Sequence, residues 1–160
     1  MRCLRCHWHW QLLLAVALRH ATALDNGLGQ KPQLGYNSWN ALATNVTEAA
    51  LMTTIDLFVS LGLKDVGYQY VSVDDGWSKA GRTANGSVAA DPVAFPGGMK
   101  KLADHAHANG LLFGLYSSNS LRVCGVAPGG LGNEQQDANT FASWGIGECC
   151  ASRVCCQRVH

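Results

Sequence analysis

The residues with the most chemistry to offer stand in three short groups, each closing an apolar, β-rich run. Tyr68 to Val73 runs straight into Asp74-Asp75-Gly76-Trp77, an earlier run from Leu34 closes on Asn37 and Trp39, and a later one from Leu111 closes on Tyr116 and Ser117. Carboxylates beside aromatic rings suit a sugar. Its hydroxyls bond to carboxylate oxygens while its C–H face lies on a ring. On residue types alone the Asp74-Asp75 pair reads equally as a solvated turn after a strand, and both readings stay open at this level.

Two cysteine patterns offer other chemistry. The run Cys3-Leu4-Arg5-Cys6-His7 has the C-x-x-C-H form of c-type haem attachment, but it precedes the apolar stretch of a leader and would be discarded with it. Cys149, Cys150, Cys155 and Cys156, with His160, are soft ligand types. Their spacing matches no metal-binding pattern, and the segment reads as a cysteine-rich stretch without period.

The candidate groups need a scaffold, and the pattern between them supplies one. A first strand is expected around Leu34 to Trp39. Asn45 with Glu48 three residues on forms a capping pattern, and Leu51, Ile55, Phe58 and Val59 follow at helical spacing until Gly62. Tyr68 to Val73 is the second strand. Pro96-Gly97-Gly98 leads into a helix carrying Met99, Leu102, Ala103 and Ala106, which Asn109-Gly110 stops. Leu111 to Tyr116 is the third strand, and Ala138, Phe141 and Ala142 mark a third helix ending near Gly145.

This alternation predicts an α/β fold of about three βα units with a parallel sheet. An open doubly wound sheet and a (β/α)8 barrel both accept such units. The pattern leans toward the barrel, because no Gly-x-Gly-x-x-Gly turn follows a strand while polar and aromatic residues gather at each strand's C-terminal end. Three strands cannot close a barrel. The third strand is therefore expected to leave an unpaired edge, and Val71, Val73, Phe113 and Leu115 to lack a barrel core to pack into.

The 160 residues, at 17.1 kDa, allow one domain, and a composition 48% apolar and 14% charged argues against disorder. Arg2, Arg5 and Arg19 precede residue 24 and no acid does, so the remainder holds nine basic against eleven acidic residues. A nucleic-acid-binding face is not expected from that balance. Residues 1–23 read as a signal peptide, with Arg2 and Arg5 before the apolar Leu12 to Leu18 and the small residues Ala21-Thr22-Ala23 as a cleavage site. The expected destination is the secretory pathway, then an extracellular, vacuolar or lysosomal location, with no membrane association once the leader is cleaved. The sequons at Asn45 and Asn85 are the candidate glycosylation sites.

The motifs in sequence order resemble one family. Leu24-Asp25-Asn26-Gly27-Leu28-Gly29, Leu34-Gly35-Tyr36-Asn37-Ser38-Trp39-Asn40, Tyr68-Gln69-Tyr70-Val71 with Asp74-Asp75-Gly76-Trp77, and Phe95-Pro96-Gly97-Gly98 are similar to the eukaryotic alpha-galactosidases of glycoside hydrolase family 27, clan D. So are Leu112 to Ser117, Gly130 to Ala138, and Phe141 to Gly145. The resemblance covers about residues 24–146, the expected partial glycoside hydrolase (β/α)8 domain. It implies a retaining hydrolysis of terminal alpha-linked galactose by two carboxyl groups about 5 Å apart, without metal or cofactor. Alpha-galactoside oligosaccharides or glycoconjugates would be the partners. It further implies that Trp39, Asp74 and Asp75 line a galactose pocket and that Tyr116 lies beside the nucleophile.

The departures begin after Ile146. Where the family carries an Asp-Tyr-Leu-Lys-Tyr-Asp-Asn-Cys type strand with the nucleophile, this chain reads Gly147-Glu148-Cys149-Cys150, so residues 147–160 are expected to be an aberrant tail. Read-through of an intron would account for it, since Gly147-Glu148-Cys149 can be written with codons that contain a splice-donor sequence. The chain is then expected to be inactive, with no catalytic residue of its own. Cys124 matches a family cysteine whose disulfide partner lies in the lost motif, and Thr44 and Gly76 stand where the family often has a second cysteine pair. Alternatives are an alpha-N-acetylgalactosaminidase, which shares these motifs, and a galactose-binding module without catalysis.

Overall fold

A computed structural model of the chain describes residues 32–124, 127–151 and 154–156. The expected leader, with its Cys3 to His7 run, and the first motif of the resemblance lie outside the described residues. Strands β1 (Gly35–Asn37), β2 (Tyr70–Val73) and β3 (Leu112–Ser117) are parallel neighbours. Between β1 and β2 come a one-turn helix α1 (Trp39–Leu42), the long helix α2 (Glu48–Ser60) and a 3-10 turn at Lys64–Val66. Helix α3 (Gly98–Ala108) joins β2 to β3, and α4 (Glu134–Ser143) follows β3. The strands lie side by side in chain order. Such an arc, growing in one direction, is how a barrel begins, whereas a doubly wound sheet reverses its order at a switch point.

Helix α2 begins two residues later than the sequence pattern suggests. Thr47, in extended backbone conformation, is its N-cap and accepts the Ala50 N–H on its hydroxyl at 3.3 Å. Asn45 stays outside. Glu48 does not reach back along the helix but bridges to the start of α3, accepting the Gly97 N–H at 2.5 Å and the Lys101 ammonium at 2.6 Å. Leu51, Ile55 and Phe58 of α2 and Met99, Leu102, Ala103 and Ala106 of α3 turn inward at helical spacing.

Their partners on the sheet are Val71, Val73, Phe113 and Leu115, all fully buried in the same core. This corrects the expectation that these four side chains want for a core. Val71 stands opposite Phe113 and Val73 opposite Leu115 in the ladder, so all four share the face that α2 and α3 cover. The other face carries Asn37, Ser72 and Gly114 in one row of the register, residues that are small or polar. Alternation shows that a strand's two faces differ, but it does not say which one the helices take.

The edge of β3 is also not free. Strand β4 (Glu148–Ala151) pairs with it in parallel, Gly114 opposite Glu148 and Tyr116 opposite Cys150, and β5 (Val154–Cys156) returns antiparallel to β4. Ladder hydrogen bonds use backbone groups that every residue type carries, so loss of the family's residue types there does not abolish pairing. Among the described residues, no helix is long and apolar enough to cross a membrane.

Candidate active site at the carboxyl ends of the strands

Each strand ends in a residue that helps to build one polar rim. At the end of β1, the Asn37 amide faces two ways: its Nδ2 donates to Asp74 Oδ2 at 2.8 Å and its Oδ1 accepts the Trp39 N–H at 2.9 Å. The next residue, Ser38, is fully buried and accepts the Asp74 N–H on its hydroxyl at 2.9 Å. Asp74 thus has its backbone held by one residue of the first unit and its carboxylate by another. Its second oxygen, Oδ1, accepts the Asp75 N–H at 2.8 Å, and Asp75 Oδ1 accepts the Gly76 N–H at 2.7 Å.

Gly76 closes this turn with φ +99°, a conformation that L side chains rarely adopt. A Cβ there would lie 2.7 Å from the Thr44 carbonyl oxygen and 2.8 Å from Thr44 Cα. The two positions where the resemblance places a cysteine pair are therefore neighbours in space, held here by direct backbone packing.

Trp77 turns away from the rim into the core. It is buried, donates its indole N–H to the Tyr116 carbonyl at 2.8 Å, and meets Phe141 and Trp144 edge to face. Tyr116 is itself buried, with its hydroxyl 3.8 Å from the Cys124 sulfur. Burial, then the Cys124 contact and the charges of Asp75 and Asp74, push the Tyr116 phenol up to about 12. Cys124 is exposed and carries a free thiol.

Behind the rim, Arg82 ties the two long loops together. Its guanidinium meets both Asp137 oxygens, at 2.5 and 2.8 Å, and donates to the carbonyls of Gly86 and Gly129. Asn85 lies exposed in the turn beside it, with its carbonyl bonded by Gln136, and Asn45 is exposed ahead of α2.

Of the residues singled out from sequence, Asp74, Asp75 and Tyr116 gather at one place, and Trp39, 43% exposed, joins them through Asn37. Asn37, Ser38 and Trp77 have parts in the arrangement that sequence reasoning did not assign. Asn37 and Trp77 stand out in the sequence by their place at strand ends, and Trp77, expected among the aromatics of the mouth, packs into the core instead. Among the described residues, no group of His, Cys, Asp and Glu is placed to hold a metal ion. What the rim offers is the half-buried Asp74 carboxylate beside an accessible indole, with Asp75 buried in the same turn, an arrangement for binding a hydroxyl and an apolar ring face.

Comparison with known proteins agrees with that chemistry. Residues 37–156 match the family described as alpha galactosidase A, Melibiase_2. Alpha-galactosidases from Saccharomyces pastorianus and Zygotorulaspora mrakii are 51% and 55% identical over 121 and 117 residues, which is 76% and 73% of this chain but 26% and 25% of theirs. Among solved structures, alpha-galactosidase I from Mortierella vinacea superposes with a TM-score of 0.77 at 42% identity, over 79% of this chain and 32% of that one. The Saccharomyces cerevisiae enzyme with raffinose superposes at 0.76 with 45% identity, over 79% of this chain and 28% of that one. The chain spans about a quarter to a third of the length of the curated relatives it matches. The family match runs through β4 into Cys156, beyond the point where the residue types depart. With its sequential parallel strands and the rim at their carboxyl ends, the chain belongs to the alpha-galactosidase A family and forms the N-terminal part of its (β/α)8 barrel.

Proposed function

We propose that the rim is the galactose-recognising part of a retaining alpha-galactosidase, and that this chain supplies recognition without bond cleavage. The observation that carries the reading is the Asp74 carboxylate, oriented by Asn37 and its own turn beside an exposed Trp39. Asp74, half-buried, is the carboxylate placed to accept sugar hydroxyls, with Asp75 buried in the same turn. A retaining mechanism needs two carboxyl groups about 5 Å apart on either side of the scissile bond, one to attack the anomeric carbon and one to protonate the leaving oxygen. The segment at the family's nucleophile strand carries Glu148-Cys149-Cys150-Ala151, and without the nucleophile no glycosyl-enzyme forms. The relative solved with raffinose supports alpha-galactoside oligosaccharides or glycoconjugates as the ligand class.

The test has two arms on the purified chain. Galactose, titrated with glucose as the control for the orientation of a single hydroxyl, is expected to bind weakly and to lose binding in Asp74→Asn. Failure to prefer galactose removes the recognition reading. A chromogenic alpha-galactoside is expected to show no turnover above a mock-expressed background, and turnover would show that the chain holds a nucleophile of its own.

A secretory route, with an extracellular, vacuolar or lysosomal end point, completes the proposal. It is supported by the leader pattern of residues 1–23 and by the exposure of Asn45 and Asn85. Expression in a eukaryotic secreting cell should give a glycosidase-sensitive mass shift that Asn45→Gln and Asn85→Gln each reduce by one glycan.

A further inference from the structure

Asn37 occupies a position that must accept toward one neighbour and donate toward the other. One side of it must accept, because the Trp39 N–H points at Oδ1 at 2.9 Å; the other must donate, because Asp74 presents a carboxylate oxygen to Nδ2 at 2.8 Å. Asparagine carries both functions on two diverging atoms of one short, planar group, which ionised aspartate and leucine do not. The ladder fixes where that group stands, with Asn37 opposite Ser72 at the end of the β1–β2 pair. Ser38 N–H donates to the Ser72 carbonyl at 3.2 Å and Ser38 Oγ accepts the Asp74 N–H, so the two strand ends are already locked at the backbone. What the Asn37 side chain adds is the orientation of a charged group and of the turn that bears an exposed indole.

We infer that Asn37 is a positioning residue. It holds the Asp74 carboxylate and the first residue of α1, Trp39, in one fixed relation, so that hydroxyl acceptor and ring face meet a ligand together. The inference rests on the sugar-binding reading of the rim for its consequence, but not for the bond itself. The titratable groups facing Asp74, among the described residues, are Asp75 in its own turn and Tyr116 from β3, with Cys124 behind Tyr116.

Substitution Asn37→Asp keeps the acceptor toward Trp39 and sets a carboxylate against a carboxylate. Two such groups in contact share one proton when the pH falls, which restores a donor between them. In the full chain labelled with fluorotryptophan, the Trp39 resonance is assigned by its loss in Trp39→Phe. In Asn37→Asp it should be displaced at pH 7 and return as the pH is lowered. The double variant Asn37→Asp with Asp74→Asn reverses donor and acceptor without adding charge, and should restore the resonance at pH 7. Galactose affinity in Asn37→Asp should fall about tenfold at pH 7 and recover at low pH, the fold-change that accompanies loss of one hydrogen bond to a charged group. A parent-like Trp39 resonance in Asn37→Asp at pH 7, or a double variant no closer to the parent, overturns the inference. If the resonance behaves as stated and neither chain binds galactose, Asn37 keeps its positioning part and the sugar reading falls. If Asn37→Asp does not fold, the comparison passes to Asn37→Leu, where a parent-like resonance overturns the inference and a displaced one at every pH supports it.

Discussion

The Trp77 indole N–H ends on the backbone carbonyl of Tyr116, 2.8 Å away across the β2–β3 pair. The bond is buried, and it fastens the residue after the carboxylate turn to the residue that closes the third strand. Its ring meanwhile leans on Phe141 and Trp144 near the end of α4. Trp77→Phe keeps most of the ring contact and leaves the Tyr116 carbonyl without this donor, which should cost about 1–2 kcal/mol. Trp77→Ala should cost about 3–5 kcal/mol and approach the whole stability of a small domain. Urea titrations followed by far-UV circular dichroism measure both.

Arg82 and Asp137 form an ion pair with side chains 16% and 5% exposed. Removing one member strands the other in a place poor in water. Arg82→Met and Asp137→Asn should each destabilise by about 3–5 kcal/mol, the double change by less than their sum. A strictly additive double variant in denaturant titrations would show that the contact carries no coupling.

Glu48 gives the fold a dependence on acid. Its carboxyl is held below the ordinary 4.5, first by the hydrogen bond from Lys101 and then by the Gly97 N–H, against the opposing effect of burial. A depressed folded-state pKa contributes stability that is complete above the unfolded value and is lost as the pH drops through the folded one. The parent should therefore weaken progressively below about pH 4.5, and Glu48→Gln should weaken less over that range while starting from a lower stability at pH 7. Equal acid sensitivity in the two proteins would remove Glu48 from the account.

The two faces of the sheet should answer differently to truncation. Phe113 is fully buried against the helices, and Phe113→Ala should cost about 3–5 kcal/mol. Ser72, on the opposite face and only partly buried, should tolerate Ser72→Ala within about 0.5 kcal/mol. Comparable losses at both positions would mean that the face bearing Ser72 carries a core of its own.

Much of this arrangement was legible in the sequence, and the misses have physical causes. Tyr70–Val73 stands within the run that the β-rich pattern marks and Leu112–Ser117 runs one residue past its own, because branched and aromatic residues there pack on a pleated surface. Helix α2 was found and its start misplaced. Asn45, Thr47 and Glu48 all carry capping oxygens, and what decided among them was Glu48 finding Gly97 and Lys101, partners 49 and 53 residues away that no local window contains. The apolar face of β2 and β3 was recognised and assigned to the wrong neighbour for the same reason: which layer covers a face is a property of the whole fold. Asp74, Asp75, Tyr116 and Trp39 could be picked out by type and by place at strand ends. Asn37 could be marked by its place but not given its part, and Ser38 could not be picked out, because an amide and a hydroxyl gain their meaning only from what stands opposite.

The close contact of Gly76 with Thr44 brings the carboxylate turn against the end of the first unit with no disulfide between these two positions, so thiol reagents have no bond to cut there. Nor could a bridge be restored by changing the two residues alone. A disulfide holds its Cβ atoms about 3.8 Å apart, whereas a Cβ on Gly76 already falls 2.8 Å from Thr44 Cα. Installing one would push the turn outward and carry both carboxylates with it, so that gaining a covalent tie would mean redrawing the rim it was meant to secure.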